Sequence, residues 1–110
     1  IGKHCWIGEG CEILNLAPVT LDNYVAIAHF VYITSGSHDI KSKSMKYKNL
    51  PVYIAKGCWI ASKSFICPGV KIGKYAVVGA GCIIKTNVEP YAVMVSPSPK
   101  KLCEREITRD

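Results

Sequence analysis

Isoleucine or valine recurs every six residues at positions 1, 7, 13, 19, 25 and 31, and again at 54, 60, 66, 72, 78 and 84. β-Branched side chains favour extended backbone, and self-similarity at a short fixed period means that one small unit is stacked many times. The unit that fits is a short strand closed by a turn, with the β-branched residue directed into the core. Gly or Ala often follows it, as at Gly2, Gly8, Ala26, Ala55, Ala61, Gly73 and Gly79. The fifth place is commonly small: Cys5, Cys11, Ala17, Ser35, Cys58, Ser64, Ala76 and Cys82. Three units make a triangular coil, and successive coils stack their strands into parallel sheets. Twelve units therefore predict four coils, two on each side of the interruption between Ile33 and Ile54.

The six cysteines fit this frame better than a disulfide framework or a metal cluster. No C-x-x-C pair exists, and four of the cysteines fall on the small fifth place, where a thiol acts as a compact apolar group. A chain without disulfides suits a reducing compartment. No apolar run approaches the roughly 18 residues of a membrane span. The expectation is one soluble domain over 1–110, a piece lacking its native N-terminus because it opens on Ile1 in mid-pattern. Its core would be modest, so oligomerisation is expected.

The net charge is +6, with basic residues dense at Lys41, Lys43, Lys46 and Lys48 and again at Lys100, Lys101 and Arg105. That suits a small anionic ligand better than nucleic acid, for which no recognition signature is present. The interruption, expected to leave the coil over 37–53, is polar and lysine-rich. Loops carry functional groups that packed coils cannot, which makes His38, between Ser37 and Asp39, the leading candidate residue.

The segments Thr34–Asp39, Gly57–Ala61, Cys67–Gly73 and Val78–Gly81, with the Asn15–Thr20 run, resemble the hexapeptide-repeat sugar O-acetyltransferases. The nodulation, galactoside and maltose enzymes belong to that type, and the resemblance is greatest to the colanic acid biosynthesis acetyltransferases. It implies an all-β, left-handed parallel β-helix with one long loop and a C-terminal tail over 90–110. It further implies a cytoplasmic homotrimer that binds acetyl-CoA and a saccharide acceptor between subunits, with no metal, nucleic acid or membrane span.

Acetyl transfer from a thioester to an alcohol needs a base for the hydroxyl proton, and an imidazole, with a reference pKa of about 6.5, is matched to neutral pH. The resemblance gives that role to His38, acting without an acyl-enzyme. Asp39 is placed to orient the ring, a task that a backbone carbonyl performs equally well. Ala61 and Ser62 occupy the place of the oxyanion donors, and Gly79 and Ala80, with Gly81, would admit the pantetheine arm. Lys100, with Lys101 and Arg105 beside it, falls where the nucleotide phosphates are held. The family's Thr-Lys-Asp is here Lys85-Thr86-Asn87, which puts Lys85 at that cofactor contact, and its Gly-x-Pro-Ala is Ser96-Pro97-Ser98-Pro99.

Asn15, Asp22 and Asn23 are either acceptor contacts or turn residues. His4 reads as a surface turn residue, and His29 as a bulky turn residue or a wall of the acceptor site. Three rivals stand beside the O-acetyltransferase: an N-acetyltransferase, a catalytically silent trimer subunit, and a γ-type carbonic anhydrase. The last needs a histidine pair about five residues apart, which His4, His29 and His38 do not supply.

Overall fold

The computed structural model describes residues 1–108, which contain strands and turns but no helix. The strands are β1 (Trp6–Ile7), β2 (Glu12–Leu14), β3 (Val19–Leu21), β4 (Ala26–Ile27), β5 (Tyr32–Thr34) and β6 (Val52–Ile54). They continue as β7 (Trp59–Ile60), β8 (Phe65–Ile66), β9 (Lys71–Ile72), β10 (Val77–Val78), β11 (Ile83–Ile84) and β12 (Val93–Met94). Each strand from β4 to β11 stacks in parallel on the strand three before it, and β12 stacks on β10 because the third-sheet side between them is reduced to the single Ile72–Val88 bridge. The first sheet runs β1-β4-β7-β10-β12, the second β2-β5-β8-β11 and the third β3-β6-β9. The chain therefore winds as a three-sided parallel β-helix.

Each side of a coil presents three extended residues, inward, outward and inward. Cys58-Trp59-Ile60 illustrates this, with Cys58 and Ile60 buried and Trp59 half exposed at 52%. Inward residues stack in register from coil to coil: Ile27 on Ile60 on Val78, Ile33 on Ile66 on Ile84, and Leu21 on Ile54 on Ile72. Each fully buried isoleucine or leucine contributes roughly 1.5–3 kcal/mol, so the three columns carry the stability of the coil. Ile1 and Ile7 stay exposed because the first coil is stacked on one side only.

The repeat frame needs one correction. The step from Ile13 to Leu21 is two residues longer than the step from Ile66 to Ile72, although the two pairs occupy the same places in their coils. Val19, Val25 and Val31 are therefore not unit starts. Val25 is equivalent to Cys58 and Ala76, and Val31 to Ser64 and Cys82. Both kinds of place point inward and both accept valine, so the slip leaves the periodicity of the sequence undisturbed.

Two boundaries also move. Val52 and Tyr53 pair in β6, so the excursion expected over 37–53 occupies 35–51, and, with each coil counted from its third-sheet side at Ile1, Leu21, Ile54 and Ile72, it has two coils before it and two after. Val93 and Met94 pair with Val77 and Val78, so the tail expected from 90 begins only after a fifth coil has started.

Most corners are four-residue turns whose third residue has positive φ. Glycine fills it at Gly10, Gly57, Gly69 and Gly81, while His4, Tyr24, Phe30, Lys63, Tyr75 and Tyr91 adopt the same conformation with side chains. That conformation costs a non-glycine residue about 1–2 kcal/mol. Ring packing along the corner offsets part of the cost. A Cβ at Gly57 would lie 2.3 Å from the Tyr75 ring, and one at Gly10 would lie 2.4 Å from the Phe30 ring, so glycine lets the next coil's aromatic fold over the turn. Tyr75 in turn stacks on Tyr91 at 5.6 Å, and Tyr24 on His4 at 5.1 Å.

All six cysteines carry free thiols. Beyond filling space, several donate to a corner carbonyl of the next coil: Cys5 to Asp22 at 3.0 Å, Cys11 to Ala28 at 2.9 Å and Cys58 to Gly73 at 3.0 Å. Ser64 makes the same bond to Gly79 at 3.0 Å, which explains why cysteine and serine share this place.

Two outcomes test the packing. Ile72→Ala is expected to cost about 2–5 kcal/mol in urea unfolding, and Lys71→Ala, outward on the same strand, under about 1 kcal/mol. Equal losses would overturn the inward assignment. Burial pushes the Cys58 and Cys67 thiols up. The unfolded chain then ionises first, so stability is full below the ordinary thiol pKa of about 8.5 and falls as pH rises through it toward the folded values. The thermal midpoint should drop above about pH 8.5. Cys58→Ser, which keeps the donor and removes the titration, should lessen the drop.

Candidate active site

The three corners differ in what they carry. The first corner, between the first and second sheets, contains residues 8–11, 28–31, 61–64 and 79–82. The second corner, between the second and third sheets, contains 15–18, 67–70, 85–88 and the long excursion 35–51. The third corner, between the third and first sheets, contains 22–25, 55–58, 73–76 and 89–92.

The excursion is a hairpin and not an open loop. The Leu50 N–H donates to Ser35 O at 2.9 Å, Lys48 N–H to Ser37 O at 2.8 Å, and Asp39 N–H to Lys46 O at 2.8 Å. His38 and Tyr47 face each other as an antiparallel pair. At the foot, buried Ser35 places its hydroxyl within hydrogen-bonding distance of Leu14 O and Ala17 O and accepts the Ala17 N–H at 2.9 Å, which ties the hairpin to the first coil. On the other side Gly69 N–H reaches Leu50 O at 3.3 Å.

His38 is exposed but held at a defined angle. Its Nδ1 lies 2.7 Å from Met45 O, and its ring stacks on Tyr47 with centroids 5.0 Å apart. A carbonyl only accepts, so Nδ1 must carry the proton, and in the neutral ring Nε2 presents a lone pair. Met45 supplies that carbonyl from a positive φ of 56°, one of the strained backbone positions of the chain. Asp39 is occupied elsewhere: its Oδ1 accepts the Lys41 N–H at 2.9 Å. Of the two orienting groups left open by the sequence, the backbone carbonyl is the one in contact with the ring. Beside His38 lies a cavity of ≈ 720 Å³ that Lys41, Lys46 and Lys48 help to line.

The remaining candidates divide between corners. Asn15 and Lys85 lie on the second corner with His38, in the first and fourth coils. Ala61, Ser62, Gly79 and Ala80 lie on the first corner, so one chain does not bring them to His38. The Ala61 N–H is donated to Val78 O at 2.8 Å and the Gly79 N–H to Met94 O at 2.7 Å, so neither amide can hold an oxyanion or a ligand. A Cβ at Gly79 would lie 2.8 Å from Met94 O, so its small size serves coil stacking. The Ser62 and Ala80 N–H groups make no hydrogen bond among the described residues. Next to them a cleft of ≈ 330 Å³ is lined by Gly81, Cys82, Met94, Ser96 and Pro97, among others. Lys100 and Lys101 lie in the exposed segment after β12, where Lys101 pairs with Glu104 at 2.6 Å.

The three histidines occupy three different corners, and no group of three potential metal ligands converges among the described residues. His29 Nδ1 accepts the Glu9 N–H at 2.9 Å, and its ring meets Trp6 edge-on at 5.5 Å, contacts that hold one coil on the next. Asp22 and Asn23 are likewise engaged in the third corner. Asn23 N–H and the Tyr53 hydroxyl both donate to the Asp22 carboxylate and hold it below the usual carboxylate range, while Asn23 Oδ1 accepts the Lys3 N–H. Sequence reasoning missed the Met45 carbonyl and the Tyr47 ring, because neither residue type signals such a role.

Residues 51–86 match the family profile described as bacterial transferase hexapeptide (six repeats). Among relatives, WcaF of Escherichia coli, a protein named for colanic acid biosynthesis acetyltransferase activity, is 34% identical over 73% of this chain and 44% of its own length. The galactoside O-acetyltransferase of E. coli is 30% identical over 84% of this chain and 47% of its own. The chain thus spans about half the length of these relatives. A hexapeptide-repeat acetyltransferase from Vibrio cholerae, solved in complex with acetyl coenzyme A, superposes with a TM-score of 0.79. It is 26% identical over 84% of this chain and 52% of its own.

The two buttressed rings make opposite expectations for tautomer. In ¹⁵N-detected NMR at a pH where the rings are neutral, His38 should carry its proton on Nδ1 and His29 on Nε2. Exchange of His38 between both forms would mean that Met45 O does not hold the ring.

Proposed function

From the premise that this chain carries the hexapeptide-repeat domain, folded as the left-handed parallel β-helix of its acetyltransferase relatives, we propose that it is an acetyl-CoA-dependent O-acetyltransferase. Its acceptor is a saccharide hydroxyl, in the assembly of an exopolysaccharide or capsule. The observation that carries the reading is the His38 ring, with Nδ1–H fixed on Met45 O at 2.7 Å and Nε2 directed away as a base.

The reaction follows from those groups. Nε2 takes the proton of the acceptor hydroxyl as its oxygen attacks the thioester carbonyl carbon, and the Met45 carbonyl stabilises the imidazolium that forms. The tetrahedral oxyanion needs N–H donors, and the unspent amides of Ser62 and Ala80 are suited to accept a charge or a pantetheine carbonyl. Collapse breaks the C–S bond, and the proton held on Nε2 passes to the departing thiolate. Acetyl-CoA supplies the acyl group when bound.

Because Ser62 and Ala80 lie on the first corner and His38 on the second, a complete site requires the corners of two copies to meet. The outward faces flanking the first corner support such an assembly. Trp6, Trp59 and Val93 are exposed on the first sheet, and Phe65 and Ile83 on the second, whereas the third sheet turns Thr20, Tyr53 and Lys71 to solvent. Exposed apolar surface of this kind favours association, and a homotrimer closes three equivalent sites. A cytoplasmic setting keeps the six thiols reduced.

His38→Ala is expected to lower kcat by roughly 10² to 10⁴ with acetyl-CoA affinity nearly unchanged, and to abolish the rising limb of the kcat/KM pH profile. His29→Ala should do much less, because its ring serves coil packing. Near-wild-type turnover of His38→Ala on a confirmed hydroxyl acceptor would sink the assignment.

A further inference from the structure

The hairpin that carries His38 also concentrates positive charge. Lys41, Lys46 and Lys48 line the ≈ 720 Å³ cavity beside the ring together with Ser37, Asp39 and Tyr47. The backbone explains the concentration. The Asp39 to Lys46 and Ser37 to Lys48 hydrogen bonds bring the two strands of the hairpin side by side, so lysines several residues apart border one space. Asp39 is the one carboxylate in that lining, and its Oδ1 already accepts the Lys41 backbone N–H at 2.9 Å. Among the described residues no carboxylate lies within ion-pair distance of any of these three ammonium groups, and the ion pair found there is Lys101 with Glu104. Three cations facing one engaged anion, within reach of a base, form a site for a negative charge.

We infer that the acceptor is an acidic saccharide, carrying a carboxylate or a phosphate that Lys41, Lys46 and Lys48 hold while His38 Nε2 deprotonates a neighbouring hydroxyl. The inference rests on the acetyltransferase reading and narrows it. The lysines are exposed, so each contributes only a factor of about 1.5 to 5 in affinity, and the three together on the order of 3- to 100-fold. Their effect must also fade with salt, because the screening length falls from about 30 Å at 0.01 M to about 3 Å at 1 M.

The test uses matched acceptors of one shape and two charges: glucuronate against glucuronamide, and N-acetylglucosamine 6-phosphate against N-acetylglucosamine. Thiol release from acetyl-CoA by the full chain is followed at about 0.01 M and 1 M salt. The expected result is a kcat/KM at least about 3-fold higher for the acidic member at low salt, shrinking to under about 2-fold at high salt. In the Lys41→Gln/Lys46→Gln/Lys48→Gln protein the KM for the acidic member should rise about 3- to 100-fold while the KM for acetyl-CoA moves less than about 2-fold. NMR titration of the His38 ring with glucuronate and glucuronamide gives the same comparison at equilibrium, independent of turnover.

Equal use of neutral and acidic members at low salt would overturn the inference and leave the acetyltransferase reading standing. So would a triple variant whose acetyl-CoA KM rises in place of the acceptor's, since the lysines would then serve the nucleotide phosphates. Acetyl-CoA binding with no thiol release to any acceptor, and no titration of the His38 ring by either sugar, would overturn both.

Discussion

Everything in this chain depends on stacking one coil on the next in register. A coil is three short strands with two inward side chains on each side, and no single coil can bury them. Parallel pairing aligns like with like, so Ile27, Ile60 and Val78 become one column instead of three separate residues. The same alignment places each corner above its predecessor, and this turns a repetitive core into three distinct edges. Chemistry can then differ by edge while the interior stays uniform.

That arrangement explains why the strained positions sit where they do. At most corners the turn after two or three extended residues is made by one residue of positive φ, often a glycine or a residue such as Phe30 or Tyr75 whose ring covers the neighbouring turn. Met45 has the same backbone conformation without a coil to support it. There the strain delivers a carbonyl to an imidazole. A conformation that elsewhere serves folding is used once to fix a proton on one side of a ring.

The core was legible in the sequence because three buried columns, each met once per coil, together demand the same side-chain chemistry every six residues. The two-residue slip between Ile13 and Leu21 was not, since Val19, Val25 and Val31 moved from one inward place to another that tolerates them equally. His38 drew attention as a candidate through its motif, and Ser62 and Ala80 through theirs, while Lys85 stands where the motif has another residue. The order of the hairpin was hidden because it resides in main-chain bonds between 35–39 and 46–50, which lysine, serine and asparagine do not announce. For the same reason the sequence could not reveal that the Ala61 amide is spent on Val78, or that the candidates on the coils are divided among the three corners.

The hairpin closes its own backbone bonds, and its feet at Ser35 and Leu50 lie one bond apart. Its length is therefore uncoupled from the pitch of the coil: residues can be gained or lost at the tip without shifting a single stacked side chain. In evolutionary terms the solenoid is a chassis and the hairpin an exchangeable cassette. Descendants of one such scaffold can diverge in what they modify while inheriting an unchanged shape.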